Sequence, residues 1–271
     1  MTVMSELLSA VGAAKDIVLN NLDSVAMKTG GQNPFGDNTL LLDQSAEDAI
    51  ISVLESADTV YMILTEERGL IKPKKTPEYL AVIDPIDGST NLERGIPLCA
   101  VGISALPYSE TMNTDDAEIS IIDSFFTKET YIAETEKGAR LNGKLISPRE
   151  DIDLSKAIIS YDTKKPMRDD FGKNSLQTLQ SVYDMRRTGS NLLDLCWTAS
   201  GALDAMVDLR NILPIVHVSG THMVFEAGGY VLDATGIRFL QDFDMNKRMS
   251  FVAASNERIA RSILGAFNGI S

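Results

Sequence analysis

The sequence predicts an α+β protein made of two halves, and three observations support this. Hydrophobic residues recur at roughly helical spacing through residues 2–28, which predicts a surface helix. Short alternating runs typical of an antiparallel meander come later, at 98–106, 118–125 and 129–134. After residue 148 strands and helices alternate. We therefore expect an antiparallel sheet in residues 1–148 and an α/β arrangement in residues 149–271.

The remaining elements follow from local patterns. The glycine-rich residues 30–36 predict a loop, residues 44–57 a helix with Asp43 as its N-cap, and the hydrophobic run 60–64 a strand. In the second half, strands are predicted at 157–161, 230–233 and 251–254. Helices are predicted there at 174–183, 192–207 and 258–267.

Composition restricts the class of partner. With 44% hydrophobic residues the chain can form a substantial core. Its formal charge of −13 argues against a nucleic-acid backbone as partner, because such binding needs clustered cations. No run approaches the length of a membrane span, no signal pattern opens the chain, and the two cysteines lie in apolar contexts. We expect a cytoplasmic protein with reduced thiols.

Residues 81–91, AVIDPIDGSTN, contain the strongest chemical signal. Pro85 cannot continue a central strand, so Asp84 and Asp87 should project from a strand end into one small volume. Two such carboxylates repel unless a cation or proton lies between them, and Mg²⁺ prefers oxygen ligands. The following turn enters a helix whose free N–H groups can bind phosphate, at Gly88, Ser89 and Thr90.

Taken alone, this segment is also compatible with a tight turn held by Asx hydrogen bonds. Glu66 and Glu67 favour the metal site, since they follow the predicted strand 60–64 and provide a second strand end with carboxylates. Two such ends side by side can hold a multi-metal cluster.

The pair TEE…DPIDGSTN resembles the signature of the inositol monophosphatase family, which usually reads GEES…DPIDGTTNF. Residues 138–143, GARLNG, are similar to that family's GAFLNG, and residues 226–229 match its EAGG. Residues 187–208 resemble its R-x-GSAALDLAYVASGRLDAYVE. The likeness covers nearly the whole chain. It implies a layered αβαβα sandwich of the lithium-sensitive sugar phosphatase type, with the site in a cleft between the halves, and a homodimer.

The resemblance also implies roles for individual residues. Glu66, Asp84 and the carbonyl of Ile86 would hold one Mg²⁺, and Asp84 and Asp87 would bridge a second. Glu67 would bind a weaker third ion or orient water, and Asp43 would support the cluster. Catalysis would proceed by in-line attack of water activated by Glu66 and Ser89, without a covalent intermediate.

Substrate contacts are expected from the turn Gly88, Ser89 and Thr90, from Asp87, and from the second half. There the resemblance implies Gly189, Ser190 and Asn191 at a helix start, with Asp208 accepting a sugar hydroxyl. Ser190 as a simple N-cap and Asp208 as a surface residue are the alternatives. Arg186 and Arg187 could reach a second phosphate, but we favour a surface position for both.

One departure from the family pattern affects the metal site. The family has W-D-x-A-A-G shortly before EAGG, and its aspartate completes the second metal site, whereas residues 211–225 contain no acid. Counting back from EAGG places Val216 at that position, and a one-residue shift places His217 there. Imidazole is a poor ligand for Mg²⁺ and a better one for Mn²⁺, Zn²⁺ or iron. A histidine satisfied inside the core is the other interpretation.

The leading hypothesis is a metal-dependent phosphomonoesterase of carbohydrate metabolism. Its expected substrate is a small polyol or sugar phosphate, inositol 1-phosphate and/or fructose 1,6-bisphosphate, and its expected cofactor is Mg²⁺, with Mn²⁺ or another divalent ion as a possibility. No nucleic-acid or membrane partner is expected. The alternative is a degenerate, non-catalytic relative that binds a metal or a phosphorylated ligand, an interpretation that depends on the missing acid.

Overall fold

The structure is a computed structural model, and it describes residues 1–25, 28–34, 38–150, 152–163, 170–244 and 247–269. The helices are α1 (Val3–Asn20), α2 (Leu41–Glu55), α3 (Ser89–Glu93), α4 (Phe171–Ser181), α5 (Asn191–Ala199), α6 (Val218–Glu226) and α7 (Glu257–Asn268). The first strands are β1 (Lys28–Gln32), β2 (Asn38–Leu40), β3 (Tyr61–Thr65), β4 (Gly69–Ile71), β5 (Tyr79–Asp87), β6 (Ala100–Pro107), β7 (Ile119–Ser124) and β8 (Thr130–Glu134). The later strands are β9 (Gly138–Leu141), β10 (Lys144–Leu145), β11 (Ile158–Tyr161), β12 (Asp184–Arg186), β13 (Ala205–Pro214), β14 (Tyr230–Asp233) and β15 (Arg248–Ala254).

The first half forms an eight-stranded sheet with the order β10-β9-β8-β7-β6-β5-β3-β4. The predicted meander is confirmed, because β6, β7 and β8 pair antiparallel in sequence order. The exception to antiparallel pairing is β3 with β5, which run parallel. The sheet is therefore mixed, and the parallel pair carries both acidic segments at the same edge.

The second half forms a five-stranded sheet with the order β12-β11-β13-β15-β14. Here β11 pairs parallel with both β12 and β13, whereas β15 pairs antiparallel with β13 and β14. This mixed sheet with helices between its strands fits the predicted α/β half.

The core is divided into layers because neighbouring strand residues face opposite sides of each sheet. In β5, Ile83 packs with α1 and α2, whereas Val82 faces the middle layer of α5 and α6. In β15, Phe251 joins that same middle layer, whereas Val252 packs with α4 and α7. The order of layers is helix, sheet, helix, sheet, helix, and the predicted αβαβα sandwich is confirmed.

Three element predictions need correction. The helix predicted for 2–28 ends at Asn20. The loop predicted for 30–36 contains part of β1, and residues 35–37 lie outside the described part of the chain. The helix predicted for 192–207 ends at Ala199, and β13 begins at Ala205. Gly201 has a φ of +76°, which stops the helix, and the apolar run after it suits a buried strand equally well.

The sequence also gave no signal for α6. Its residues include Ser219, Gly220 and Thr221, which are weak helix formers. All three are buried in the middle layer, and tertiary packing rather than propensity holds the helix there.

The division of the chain at residue 148 stays a prediction, because the two sheets share one hydrophobic core through α5 and α6. Cys99 and Cys196 are both buried free thiols. Within the described ranges, no helix is both long enough and apolar enough to cross a bilayer.

The close approach of α5 and α6 yields a stability prediction. A Cβ atom on Gly220 would lie 3.0 Å from Cβ of Leu195. We expect Gly220→Ala to lower the free energy of unfolding by about 1–3 kcal/mol through overpacking. Gly12, inside α1, has no neighbouring atom within 4 Å of such a Cβ. As the matched control, Gly12→Ala should raise stability by about 0.5–1 kcal/mol through helix propensity. Urea unfolding measures both, and equal effects would contradict the packing argument.

Candidate active site

A bulge in β5 sets the geometry of the two aspartates. Asp84 pairs with Gly102 of β6 and Asp87 with Ala100, so β5 has one extra residue between these positions. Residues three apart on a regular strand point to opposite faces, and the extra residue cancels that alternation. Both carboxylates therefore face the same side. The sequence analysis expected the strand to end at Pro85, but β5 continues to Asp87. Pro85 lies inside the bulge, where its missing N–H costs no ladder hydrogen bond.

Asp87 connects the large sheet to the middle helices. Its Oδ2 accepts hydrogen bonds from the Ser190 hydroxyl and the Leu192 backbone N–H, both at 2.6 Å. Ser190 is the N-cap of α5, and its Oγ accepts the Leu193 N–H at 3.3 Å. The carboxylate thus lies at the positive end of the helix dipole. These bonds hold one oxygen, while Oδ1 lies 3.5 Å from His217 Nε2.

Asp84 is fully buried, and no donor among the described residues makes a hydrogen bond to either of its oxygens. Burial raises the pKa of Asp84 well above its usual value, and the charges of Glu66 and Asp87 raise it further. A buried carboxylate beside two others requires a proton or a cation for neutralisation.

Glu66 and Glu67 reach the same place through the parallel pairing of β3 and β5. Thr65 pairs with Ile83, so the next residues along each strand, Glu66 and Asp84, emerge side by side. Parallel strands present their carboxyl ends at one edge of a sheet. The sequence prediction that two acidic strand ends lie together is confirmed by this register.

Glu47 of α2 holds the turn that presents these two glutamates. It is fully buried, and its Oε1 accepts the Thr65 hydroxyl at 2.5 Å and the backbone N–H groups of Glu67 at 3.0 Å and Arg68 at 3.2 Å. Three donors on one carboxylate oxygen fix the turn rigidly. Glu47 therefore positions Glu66 and Glu67 without facing the cleft itself.

Asp43 lies beside this cluster, and the prediction that it is the N-cap of α2 is wrong. Helix α2 begins at Leu41, and Asp43 in its first turn accepts the Leu40 N–H at 3.1 Å. Burial, followed by the charge of Glu67, raises the pKa of Asp43 to about 8. Asn33 donates to Glu66 at 3.5 Å and to Glu67 at 3.4 Å. The predicted support of the cluster by Asp43 stays a prediction.

His217 occupies the position that the sequence left open between it and Val216. Its Nε2 lies 3.3 Å from Asp84 Oδ2 and 3.5 Å from Asp87 Oδ1, and Val216 is buried in the core. One ligand atom from each of these three residues lies within 4.8 Å of the others. Burial lowers the pKa of His217, but the hydrogen bond and charge of Asp87 outweigh it and leave the pKa raised.

The end of β5 and the start of α3 form the next part of the cleft wall, with Ile86, Gly88, Ser89 and Thr90. Gly88 has a φ of +95°, and a Cβ there would lie 2.9 Å from the Leu98 carbonyl oxygen, so only glycine fits. These residues lie where the sequence placed them. The carbonyl of Ile86 as a metal ligand and the turn as a phosphate contact stay predictions.

The opposite wall comes from the segment before α5. Gly189 and Asn191 line the cleft, whereas Ser190 is fully buried and does not. Ser190 is thus the N-cap of α5, which was the alternative interpretation, and it does not make the predicted contact with a substrate. Its hydroxyl contacts Asp87 instead of the cleft. Asn91 joins the two walls, because its Nδ2 donates to the Thr188 carbonyl at 2.7 Å.

Asp208 does not face the cleft, which corrects its predicted contact with a substrate. It is fully buried and binds Arg210 through Nε at 2.9 Å and Nη2 at 2.5 Å. Arg210 does line the cleft, and its Nη1 lies 2.8 Å from Asp162. The role of Asp208 is thus to orient an arginine that faces the cleft.

Arg187 also faces the cleft, contrary to the surface position favoured from the sequence. Its Nη2 donates to the same Asp162 oxygen at 2.8 Å. Arg186 fits the surface interpretation, since it is exposed and pairs with Asp184 at 2.6 Å. Arg186 and Arg187 are neighbours at the end of β12, and successive side chains along an extended chain point to opposite sides.

The cleft has a volume of about 1010 Å³. One end is acidic and the other basic, and the charged residues lining it are Glu66, Glu67, Asp84, Asp87, Glu93, Asp162, Arg187, Arg210 and Arg248. The buried carboxylates fit divalent cations, since within the described part of the chain neither oxygen of Asp84 has a hydrogen-bond donor and Asp87 Oδ1 faces the same space. Cations held beside arginines can bind and polarise a phosphorylated ligand.

Sequence reasoning missed Glu47, Asp162 and Arg210. A signal existed for Glu47, because it shares the apolar face of α2 with Ile50 and Leu54 at helical spacing. Asp162 and Arg210 gave no comparable signal, since their pairing depends on strands β11 and β13 lying side by side.

Comparisons with known proteins agree with this geometry. The family model described as "Inositol monophosphatase family" matches residues 2–270. A relative from Methanocaldococcus jannaschii named fructose-1,6-bisphosphatase/inositol-1-monophosphatase is 31% identical over 236 residues, 86% of each chain. A Vibrio cholerae relative named Nus factor SuhB is 31% identical over 252 residues, 91% of this chain and 87% of its own. The chain also matches a crystal structure of an inositol monophosphatase–fructose 1,6-bisphosphatase, with a TM-score of 0.82 and 29% identity over 98% of this chain and 100% of that one.

A buried carboxylate beneath the site gives a pH prediction. Asp194 of α5 accepts the Ser160 hydroxyl at 2.5 Å, and its Oδ1 has no partner among the described residues. Burial raises the pKa of Asp194 to about 7 from 3.8. As pH rises through this window the unfolded chain loses its proton first, so Asp194 lowers stability progressively.

We expect Asp194→Asn to remove this dependence. The stability gained by the variant over wild type should be larger at pH 8 than at pH 5 by on the order of 2–3 kcal/mol. Urea unfolding at both pH values in the presence of EDTA measures the difference. The same relative stability at pH 5 and pH 8 would show that Asp194 ionises normally in the folded chain.

Proposed function

The chain belongs to the inositol monophosphatase family, and from this premise we propose that it hydrolyses a small sugar or polyol phosphate with the help of divalent metal ions. The relatives' names support a phosphoric monoester hydrolase of the inositol monophosphatase and fructose-1,6-bisphosphatase type. The observation that carries the proposal is the gathering of Asp84, Asp87 and His217 around one point of the cleft.

Glu66, Asp84, Asp87 and the Ile86 carbonyl are the groups that would hold the metal ions. When bound, such ions activate water and neutralise charge on the departing oxygen. Asp87 keeps its position through the two hydrogen bonds from the start of α5. Glu66, beside Asp84, would accept a proton from the attacking water, and Ser89 also lines the cleft.

The alternative of a non-catalytic relative depended on the missing acid. His217 lies against both aspartates at the position in question, so a third ligand is available. We therefore favour catalysis over simple binding.

The basic wall favours a substrate with a second anionic group. Arg187, directly after β12, and Arg210, in β13, both pair with Asp162, and Arg248 lines the same cleft. Guanidinium groups suit phosphate because their donors match its oxygens in pairs. A hexose bisphosphate would place its ester among the carboxylates and its other phosphate toward the arginines. Fructose 1,6-bisphosphate fits this arrangement better than inositol 1-phosphate.

A cytoplasmic location and a homodimer remain part of the proposal. Both cysteines are buried free thiols, which agrees with a reducing compartment. The dimer has the support of the family resemblance alone.

The first test is phosphate release from fructose 1,6-bisphosphate and inositol 1-phosphate with Mg²⁺ or Mn²⁺. Asp87→Asn keeps an oxygen for Ser190 and Leu192 but places an amide nitrogen where Oδ1 faces the cleft. We expect release to fall at least about 100-fold with an unchanged melting temperature. Equal release by wild type and variant, with either ion and either substrate, would support the non-catalytic alternative.

The second test addresses substrate choice. Arg187→Gln should raise KM for fructose 1,6-bisphosphate by about tenfold, because a charge-assisted hydrogen bond is lost, and leave KM for inositol 1-phosphate nearly unchanged. Arg186→Gln is the matched control, since its side chain is exposed outside the cleft. A similar rise for both substrates, or for both variants, would contradict a second-phosphate site at Arg187.

A further inference from the structure

The third ligand position of the metal site presents a nitrogen rather than an oxygen. His217 ends the short 3-10 helix Ile215–His217 that leads into α6. Its side chain is 6% exposed, and its Nε2 points at Asp84 and Asp87 from 3.3 and 3.5 Å. This imidazole is therefore part of the site and does not merely fill the core.

The other ring nitrogen determines how His217 is oriented. Nδ1 lies 3.2 Å from the carbonyl oxygen of Pro214. A carbonyl can only accept a hydrogen bond, so Nδ1 carries the hydrogen and donates it. In the neutral ring this leaves the lone pair of Nε2 directed at the aspartates. A histidine that binds metal characteristically donates its second ring N–H to a backbone carbonyl in this way.

Asp84 provides independent evidence for a cation. Its side chain is fully buried, and neither oxygen has a hydrogen-bond donor among the described residues. An unsatisfied buried carboxylate is strongly unfavourable unless a proton or a positive charge neutralises it, and a cation among Asp84, Asp87 and His217 would do so.

The spacing of the three groups fits one small cation. Ligand atoms about 2.1 Å from a common ion, at angles of 90–110°, lie about 3.0–3.4 Å apart. The separations of 3.3 and 3.5 Å between Nε2 and the two carboxylates are close to this range.

We propose that Asp84, Asp87 and His217 form a mixed nitrogen and oxygen site that selects a divalent first-row transition ion, such as Mn²⁺ or Co²⁺, over Mg²⁺. Mg²⁺ favours all-oxygen coordination, whereas imidazole suits transition ions. Histidine in place of a carboxylate also removes one negative charge, which weakens attraction for an ion bound mainly by charge. This inference refines the proposed function, because it concerns the metal of the same site.

The test measures metal binding without turnover, with each metal ion alone as the probe. The chain has two histidines, so protein labelled with ¹⁵N-histidine reports on His217 and His222 only. Pulsed EPR of bound Mn²⁺ should show a histidine nitrogen coupling that changes with the label. His222 contacts Ser120 and Thr135 outside the cleft, and His222→Asn is the matched control that should keep the coupling. His217→Asp should abolish it.

Titration calorimetry measures the affinity for each ion and therefore the selectivity among them. Wild type should bind Co²⁺ or Mn²⁺ about 100-fold more tightly than Mg²⁺, and His217→Asp should reduce this ratio at least about tenfold. Absence of the nitrogen coupling in wild-type protein, or equal affinity for Mg²⁺ and Mn²⁺, would overturn the proposal even if the variant fails to fold. Nitrogen coupling without phosphate release would contradict the proposed function and leave this inference intact. Phosphate release with Mg²⁺ but without nitrogen coupling would support the proposed function and contradict the nitrogen-containing metal site.

Discussion

The repulsion among buried carboxylates is the constraint on which this structure depends. Asp84, Asp87 and Glu66 are brought together where the large sheet meets the middle helices, and the burial of Asp84 prevents water from screening it. Such a cluster persists in a folded protein only with protons or cations among its members. This need for neutralisation is why cations are expected in the cleft.

Hydrogen bonds from the surrounding helices and turns hold several of these acids in place. Asp87 is bonded through Oδ2 to the start of α5, and Asp43 through Oδ2 to the start of α2. Glu47 does not enter the cleft but accepts three donors of the turn that carries Glu66. Preorganisation of this kind lets a site bind cations without reordering its ligands.

Local sequence predicted the parts of this site that lie on adjacent strand ends. Asp84 and Asp87 belong to one strand, β5, and Glu66 and Glu67 directly follow β3, which pairs parallel with β5. The bulge at Pro85 was predicted as a strand end, since the sequence does not show that β6 continues beside it. Asp208 was misassigned because its partner Arg210 lies on the same strand inside a break in register, which the sequence does not show. Contacts that depend on the pairing of distant strands have no local pattern, and Asp162 with its two arginines belongs to this class.

Histidine at position 217 and the arginines of the basic wall both make the cleft less negative. The chain as a whole is acidic, with a formal charge of −13, yet Arg187, Arg210 and Arg248 face this one cleft. A neutral imidazole in place of a carboxylate removes a negative charge from the opposite end. Both features lower the repulsion that a doubly phosphorylated ligand would meet, since Coulomb energies are larger in a partly buried site than in water. A site with a histidine beside its aspartates and three arginines in its cleft would therefore suit a more highly charged substrate, and it would bind its metal through ligand chemistry more than through charge alone.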